Sequence, residues 1–350
     1  MNILVSQFNL FSDLQFIWFS VFVILLTGYA ILDGFDLGVG MMHLFAKKDE
    51  DRRIMINSIG PLWDGNAVWL VTAGGALFAG FPNVYATVCS AFYIPVMVLL
   101  SGLIFRAVAI EFRSKQPMAW WRWCWDVMFS LASLIISFDF GLIAGNLVRG
   151  IPLDAQGEFI GDFSSLLNPY ALFIGGVTVA LFLMHGVIFV VMKTEDELHD
   201  RLRLWVNPAI ILFILFYATG TMATLIYMPH MAETMKERPI FFLIAIINIF
   251  AIANIPREIN LGRDFRAFLC SSLNIICLLA LFGIGLYPNV VRALNDPQNL
   301  SLTIYKDSSS ITTLQILLMI ALIGMPMVIS YMSIVYWVFR GKVKLDSTSY

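Results

Sequence analysis

Three carboxylates stand in segments whose neighbours are almost all apolar. Asp33 and Asp36 lie in Tyr29-Ala-Ile-Leu-Asp-Gly-Phe-Asp-Leu-Gly-Val-Gly40, three residues apart and so on one face of a helix. Asp64 lies in Trp63-Asp-Gly-Asn-Ala-Val-Trp69, two residues before Asn66. In a lipid-spanning helix each such group costs roughly 2.5–3.5 kcal/mol on insertion scales, so each requires a partner or a task. Carboxylates held together by burial can take up and release protons, the chemistry of a proton path or of a polar site lining a helix boundary. The same residues suit hydrogen bonds across packed helices, and Asp64 suits a helix cap. Both readings stand on the residues alone.

Arg106, followed by Glu111 and Arg113, reads either as a snorkelling anchor at a membrane surface or as a counter-charge to one of these acids or to a cofactor carboxylate in a neighbouring chain. Asp139, between Phe138 and Phe140, must find a partner that the sequence does not identify. His185 is the one histidine expected at membrane depth; His43 and His199 are expected at the cytoplasmic surface and His230 outside. A b-type haem takes His with a second His or Met across the ring, so a single histidine serves one side at most and reads better as a hydrogen-bonding core residue. Gly34 and Gly38, four apart, suit a close helix approach. Gly38-Val-Gly40 follows no strand, which excludes a dinucleotide loop. Cys89, Cys124, Cys270 and Cys277 lie in apolar surroundings without a CxxC pair and read as small hydrophobes.

The elements that must carry these residues are membrane helices. Of the 350 residues 59% are hydrophobic and 13% charged, against about 45–50% and 25% in soluble domains, and mean hydropathy is +0.81. A net charge of -2 removes nucleic acid as a partner. Apolar runs long enough to cross a core of about 30 Å recur at 16–45, 59–80, 84–110, 123–148, 168–192, 207–228, 240–255, 267–288 and 311–339. This is an all-α polytopic membrane protein of about nine transmembrane helices, one integral membrane domain over 1–350. Of the 22 Lys and Arg, only Arg149, Lys236, Arg238, Arg292 and Lys306 fall on one side; the positive-inside rule makes the other side cytoplasmic, with the N-terminus outside and the C-terminus inside. Met1 to Asp13 lacks Lys and Arg, so the first apolar run is expected to be a retained helix rather than a cleaved signal. A proton-coupled secondary transporter would also carry many helices and buried acids. Such folds usually show internal repeats and midplane helix breaks, whereas here no repeat is evident and the polar motifs gather toward one side.

Asp33-Gly-Phe-Asp-Leu-Gly-Val-Gly40, the long block from Arg52 to Leu70, Thr72-Ala-Gly-Gly-Ala-Leu-Phe-Ala79 and Phe105-Arg106 closely resemble subunit II of the cytochrome bd-type terminal quinol oxidases. Gly145–Gly150, Leu167-Asn-Pro169, Lys193-Thr-Glu195 and Leu300–Ile304 extend the resemblance over the whole chain, and the short loops look like the shorter, cyanide-insensitive branch. The resemblance implies two four-helix bundles plus one peripheral helix, in the bacterial cytoplasmic (inner) membrane. It implies a heterodimer whose subunit I holds the haem b and haem d groups and oxidises quinol while O2 is reduced to water. Small single-helix accessory subunits, quinone and lipid are further implied partners, and no haem is expected to be ligated by this chain. Asp64 matches the family's intramembrane Asp on the proton route, and Asp33 and Asp36 match its paired acids. Trp63, Asn66 and Arg106 belong to the same motifs, toward the partner and its haems. Asp139 matches no family-wide feature.

Overall fold

The computed structural model describes residues 13–345. Its helices are α1 (Leu14–Met42, continued by a 3-10 turn at His43–Phe45), α2 (Asp49–Ile59), α3 (Trp63–Gly80), α4 (Pro82–Ala91), α5 (Tyr93–Phe112), α6 (Ala119–Arg149), α7 (Phe163–Leu166), α8 (Pro169–Lys193), α9 (Asp196–Tyr227), α10 (Glu233–Glu237), α11 (Phe242–Asn260), α12 (Asp264–Leu286) and α13 (Ile311–Val338). The helix starts follow local chemistry. Asp13, Asn168 and Ser310 accept from the backbone N–H of Phe16, Ala171 and Thr313, and Pro169 opens α8 where no donor is needed. Gly150, at φ +93°, ends α6 and turns the chain into the outer loops. There β1 (Asn289–Val291) pairs antiparallel with β2 (Leu302–Thr303).

Eight of these helices, α1, α5, α6, α8, α9, α11, α12 and α13, are long and apolar enough to cross a membrane. α3 has the length, 18 residues, but carries Asp64 and Asn66 in its first turn; counting it restores nine crossings. Several expected boundaries move. The run 84–110 is two helices broken at Phe92, because Pro95 lacks the N–H that would continue the ladder and its ring would clash with the Ala91 carbonyl. The run 59–80 begins only at Trp63, after the Gly60-Pro61 turn that closes α2. The run 207–228 extends back to Asp196, so α9 projects a polar turn-rich end beyond the membrane and passes through Pro208 without ending. The short run 240–255 is a full helix whose asparagines have partners: Asn248 donates to the Tyr217 hydroxyl (3.0 Å) and Asn254 to the Cys270 sulfur (3.3 Å).

α1, α3, α5 and α6 pack as one group, α8, α9, α11 and α12 as a second, and α1 and α6 join the two through α8. The α1–α8 crossing is a backbone contact: a Cβ on Gly38 would stand 2.0 Å from the Phe182 carbonyl oxygen and 2.7 Å from the Gly186 Cα. α13 stands outside both groups with only Leu314 and Met332 buried. It is tied at its ends, by the Trp18 indole N–H to the Leu314 carbonyl (3.0 Å) and by the Lys193 ammonium to the Phe339 carbonyl (2.5 Å). The basic loops meet at one end of the molecule: Arg113 and Arg122 both reach Asp49, Arg201 reaches Asp51 and Lys48 reaches Glu197.

Candidate functional site

Asp33 and Asp36 share a buried face of α1, as their spacing requires, and both are fully enclosed. Arg106, from the last third of α5, meets Asp33 end-on: Nη1 donates to Oδ2 at 2.7 Å and Nη2 to Oδ1 at 2.5 Å, with the guanidinium 1% exposed. A bidentate pair in a low-dielectric interior uses both carboxylate oxygens and fixes the helix rotation. The counter-charge reading of Arg106 therefore holds, and the snorkelling-anchor reading does not.

Asp36 is tied from another direction. Asn66, on the buried face of α3, donates through its amide to Asp36 Oδ2 (2.8 Å) and to the Leu32 carbonyl (3.1 Å). Tyr336 of α13 donates its hydroxyl to Asn66 Oδ1 at 2.8 Å. The other oxygen of Asp36, Oδ1, is buried and has no hydrogen-bond partner among the described residues. The two sequence motifs thus meet, but through Asn66.

Asp64 is elsewhere. Residues two apart on a helix are separated by about 200°, so the turn that buries Asn66 turns Asp64 outward. α3 has a buried stripe of Asn66, Ala73, Leu77 and Gly80 and a bare stripe of Asp64, Val68, Val71, Gly75 and Phe78. Trp63, half-buried, packs against the main core beside the buried stripe. Asn66 contacts Leu32 and Asp36 and so lies about 9 Å inside the cytoplasmic end of α1, by helical rise from Asp36 to Met42; Asp64, two residues nearer the start of α3, lies about 6 Å inside it.

A second charged cluster escaped the sequence reading. Asp126, fully buried in the first part of α6, accepts from His43 Nε2 (2.6 Å), Arg52 (2.9 Å) and Arg113 Nε (2.5 Å) and Nη2 (3.2 Å). His43 stands at the cytoplasmic end of α1, where the sequence places it, and is 0% exposed there because the 3-10 turn after α1 folds its ring beneath α6. The available signal was an Asp following Trp125 inside an apolar run, the same signature as Asp64 after Trp63.

His185 has both ring nitrogens engaged. The Ile31 carbonyl can only accept, so Nε2 carries the proton toward it (3.0 Å), and Nδ1 accepts from the Ser271 hydroxyl (2.8 Å). Its ring stacks on Phe268 at 4.9 Å. With no nitrogen lone pair left over, this side chain does not fit axial ligation of a haem. Asp139 is buried with Oδ2 unpartnered, and nothing around it explains the residue. Among the described residues no cluster of three or more His, Cys, Asp or Glu is placed to hold a metal, and the four cysteines are unpaired.

Against known proteins, a family model described as cytochrome bd terminal oxidase subunit II matches residues 14–339. The chain is 33% identical over 365 residues to subunit 2 of the cytochrome bd-I ubiquinol oxidase of Escherichia coli (strain K12), covering 95% of this chain and 96% of that one. It is 35% identical over 336 residues to subunit 2 of the cytochrome bd ubiquinol oxidase of Bacillus subtilis (strain 168), covering 95% and 97%. The fold matches a chain in the structure of bd oxidase from Geobacillus thermodenitrificans with a TM-score of 0.78 over 93% of this chain and 98% of that one, at 19% sequence identity.

Proposed function

The chain belongs to the cytochrome bd terminal oxidase subunit II family, and from that premise we propose that it is the haem-free half of a heterodimeric quinol oxidase and lines the cytoplasmic proton entry at the boundary with subunit I. Haem b and haem d are then held by subunit I, whose redox chemistry reduces O2 with electrons from quinol. This chain supplies a scaffold and carboxylates.

The observation that carries the reading is Asp64. It is exposed on a bare helix face, about 6 Å inside the end of α1, among Val68, Val71 and Phe78. Lipid does not cover a carboxylate at that depth without a large penalty, so the α3 face calls for a protein partner with polar groups or enclosed water opposite Asp64. Gly74 and Gly75 suit such contact, since a Cβ on either would meet nothing within 4 Å and a partner helix can approach closely. At the partner boundary Asp64 takes a proton from water reaching it from the cytoplasm and passes it toward subunit I. Asp33, Asp36, Arg106, Asn66 and Trp63 hold the inner side of the same wall. In a transporter the acids would line a passage through this chain, whereas Asp64 faces away from it.

Purification through a tag on this chain from its native membranes tests the reading. A haem-bearing partner, haem b and d absorbance and quinol-driven O2 uptake are expected. Stoichiometric haem on the chain expressed without its partner, lost on His185→Leu, would overturn the assignment of haem to subunit I.

A further inference from the structure

Each oxygen of Asp33 is occupied by Arg106, while Asp36 keeps one buried oxygen free. Of the pair, Asp36 is therefore the acid with an atom available to a proton or a water molecule. Its other oxygen hangs on Asn66, and the orientation of that amide is set by three contacts at once. The Leu32 carbonyl and the Asp36 carboxylate both accept, so both amide hydrogens point at α1; Oδ1 can only accept, so the Tyr336 hydroxyl must donate to it. Every hydrogen-bonding position of Asn66 toward α1 and α13 is thus in use.

Tyr336 comes from the least buried of the crossing helices. α13 buries only Leu314 and Met332, and its long faces are bare. The side-chain thread Tyr336, Asn66, Asp36 crosses from this peripheral helix, through the buried stripe of α3, to the free carboxylate in α1. Hydrogen bonds in series polarise one another, so a donor on Asn66 Oδ1 strengthens the Asn66 N–H bond to Asp36 and fixes the carboxylate in its orientation.

We infer that Tyr336 is a positioning residue that acts through Asn66 to orient Asp36 and set its readiness to exchange protons. This rests on the proposed reading that the acids of α1 take part in proton supply to the oxidase. Tyr336 bears on an acid two contacts away. The other charged or titratable groups bearing on Asp36 are Asp33 and Tyr29 on its own helix and Arg106 on α5. α8, packed on α1, brings His185, which is turned to Ile31 and Ser271.

The test uses the assembled oxidase in native membranes, with O2 uptake measured against pH at saturating quinol. Tyr336→Phe keeps the ring and removes the donor. The limb of the rate profile that disappears in Asp36→Asn is expected to move, with KM for quinol unchanged. In an Asp36→Asn background the same substitution is expected to move nothing further. Asn66→Leu removes the middle of the thread, both the bond to Asp36 and the acceptor of Tyr336, while leaving the tyrosine in place, and is expected to move the same limb where Tyr336→Phe does not assemble. A wild-type profile in Tyr336→Phe and Asn66→Leu, or equal shifts with and without Asp36, would overturn the inference and leave Tyr336 as a latch for α13. The underlying reading fails separately: an Asp36→Asn oxidase with full haem content and a wild-type profile would remove Asp36 from proton supply altogether.

Discussion

Arg106 and Asp33 meet end-on, nitrogen pair to oxygen pair, at 2.7 and 2.5 Å and without solvent contact on either side. The cost of taking both charges out of water is repaid only while both are present. Asp33→Asn leaves a buried guanidinium uncompensated and is expected to cost about 3–5 kcal/mol, read as a fall in assembled complex and in its thermal unfolding midpoint. Arg106→Lys, with a point charge where a fork is needed, is expected to lose less. The apolar double replacement Arg106→Met with Asp33→Leu is expected to be milder than Asp33→Asn. A double variant worse than either single change would count against the pair as the source of the effect.

Asp64→Asn keeps the size and polarity of the side chain and removes its capacity to carry a proton. O2 uptake by the assembled oxidase is expected to fall by about tenfold or more, in keeping with loss of a positioned proton carrier, and Asp64→Glu by less. Turnover is measured together with haem content so that assembly and proton supply are separated. Wild-type turnover and haem content in Asp64→Asn would refute the role.

Two glycines test the difference between an inner and an outer contact. Gly38→Ala puts a methyl into the Phe182 carbonyl and Gly186, where only backbone faces backbone, and is expected to abolish accumulation of the folded chain. A Cβ on Gly75 meets nothing within 4 Å in this chain, so with Gly75→Leu the chain is expected to accumulate normally while its recovery with subunit I falls. Co-purification yields, normalised to the amount of this chain in the membrane, decide both.

His185→Leu takes the second hydrogen bond from the Ile31 carbonyl, which keeps its helical partner, and removes the acceptor of the buried Ser271 hydroxyl, a loss of about 1–3 kcal/mol. A lower unfolding midpoint with unchanged haem b and d absorbance per assembled complex is the expected result. Loss of one haem from complexes that still assemble would show that the histidine has a task beyond packing.

Much of this arrangement was legible in the residues. The one-face spacing of Asp33 and Asp36, the counter-charge option for Arg106 and the close approach at Gly38 follow from helical periodicity and from the cost of charge in lipid. What the sequence concealed was long-range. Tyr336 is 270 residues from Asn66, and nothing local marks a tyrosine in an apolar helix as a donor to a buried amide. His43 follows a helix end, where a surface position is the ordinary expectation, and only the folding of that turn under α6 buries it against Asp126. Asp64 was expected near the acids of α1 because the motifs share a depth. Depth alone could not show which side of α3 it occupies; the neighbour two residues on, Asn66, took the inner one.

The polar first turn of α3 bears on how the protein reaches the membrane. α3 falls short of the apolarity that marks the eight other crossing helices, because Asp64 and Asn66 occupy its start. A segment of that kind partitions poorly into lipid alone. Its amide acceptors, Asp36 and the Leu32 carbonyl, are on α1, made earlier by the ribosome, whereas the tyrosine that completes its hydrogen bonding is on α13, made after all the other described helices. Insertion of α3 therefore depends on α1 being held beside it at the translocation site, and the helix stays only half satisfied until synthesis of α13 is finished.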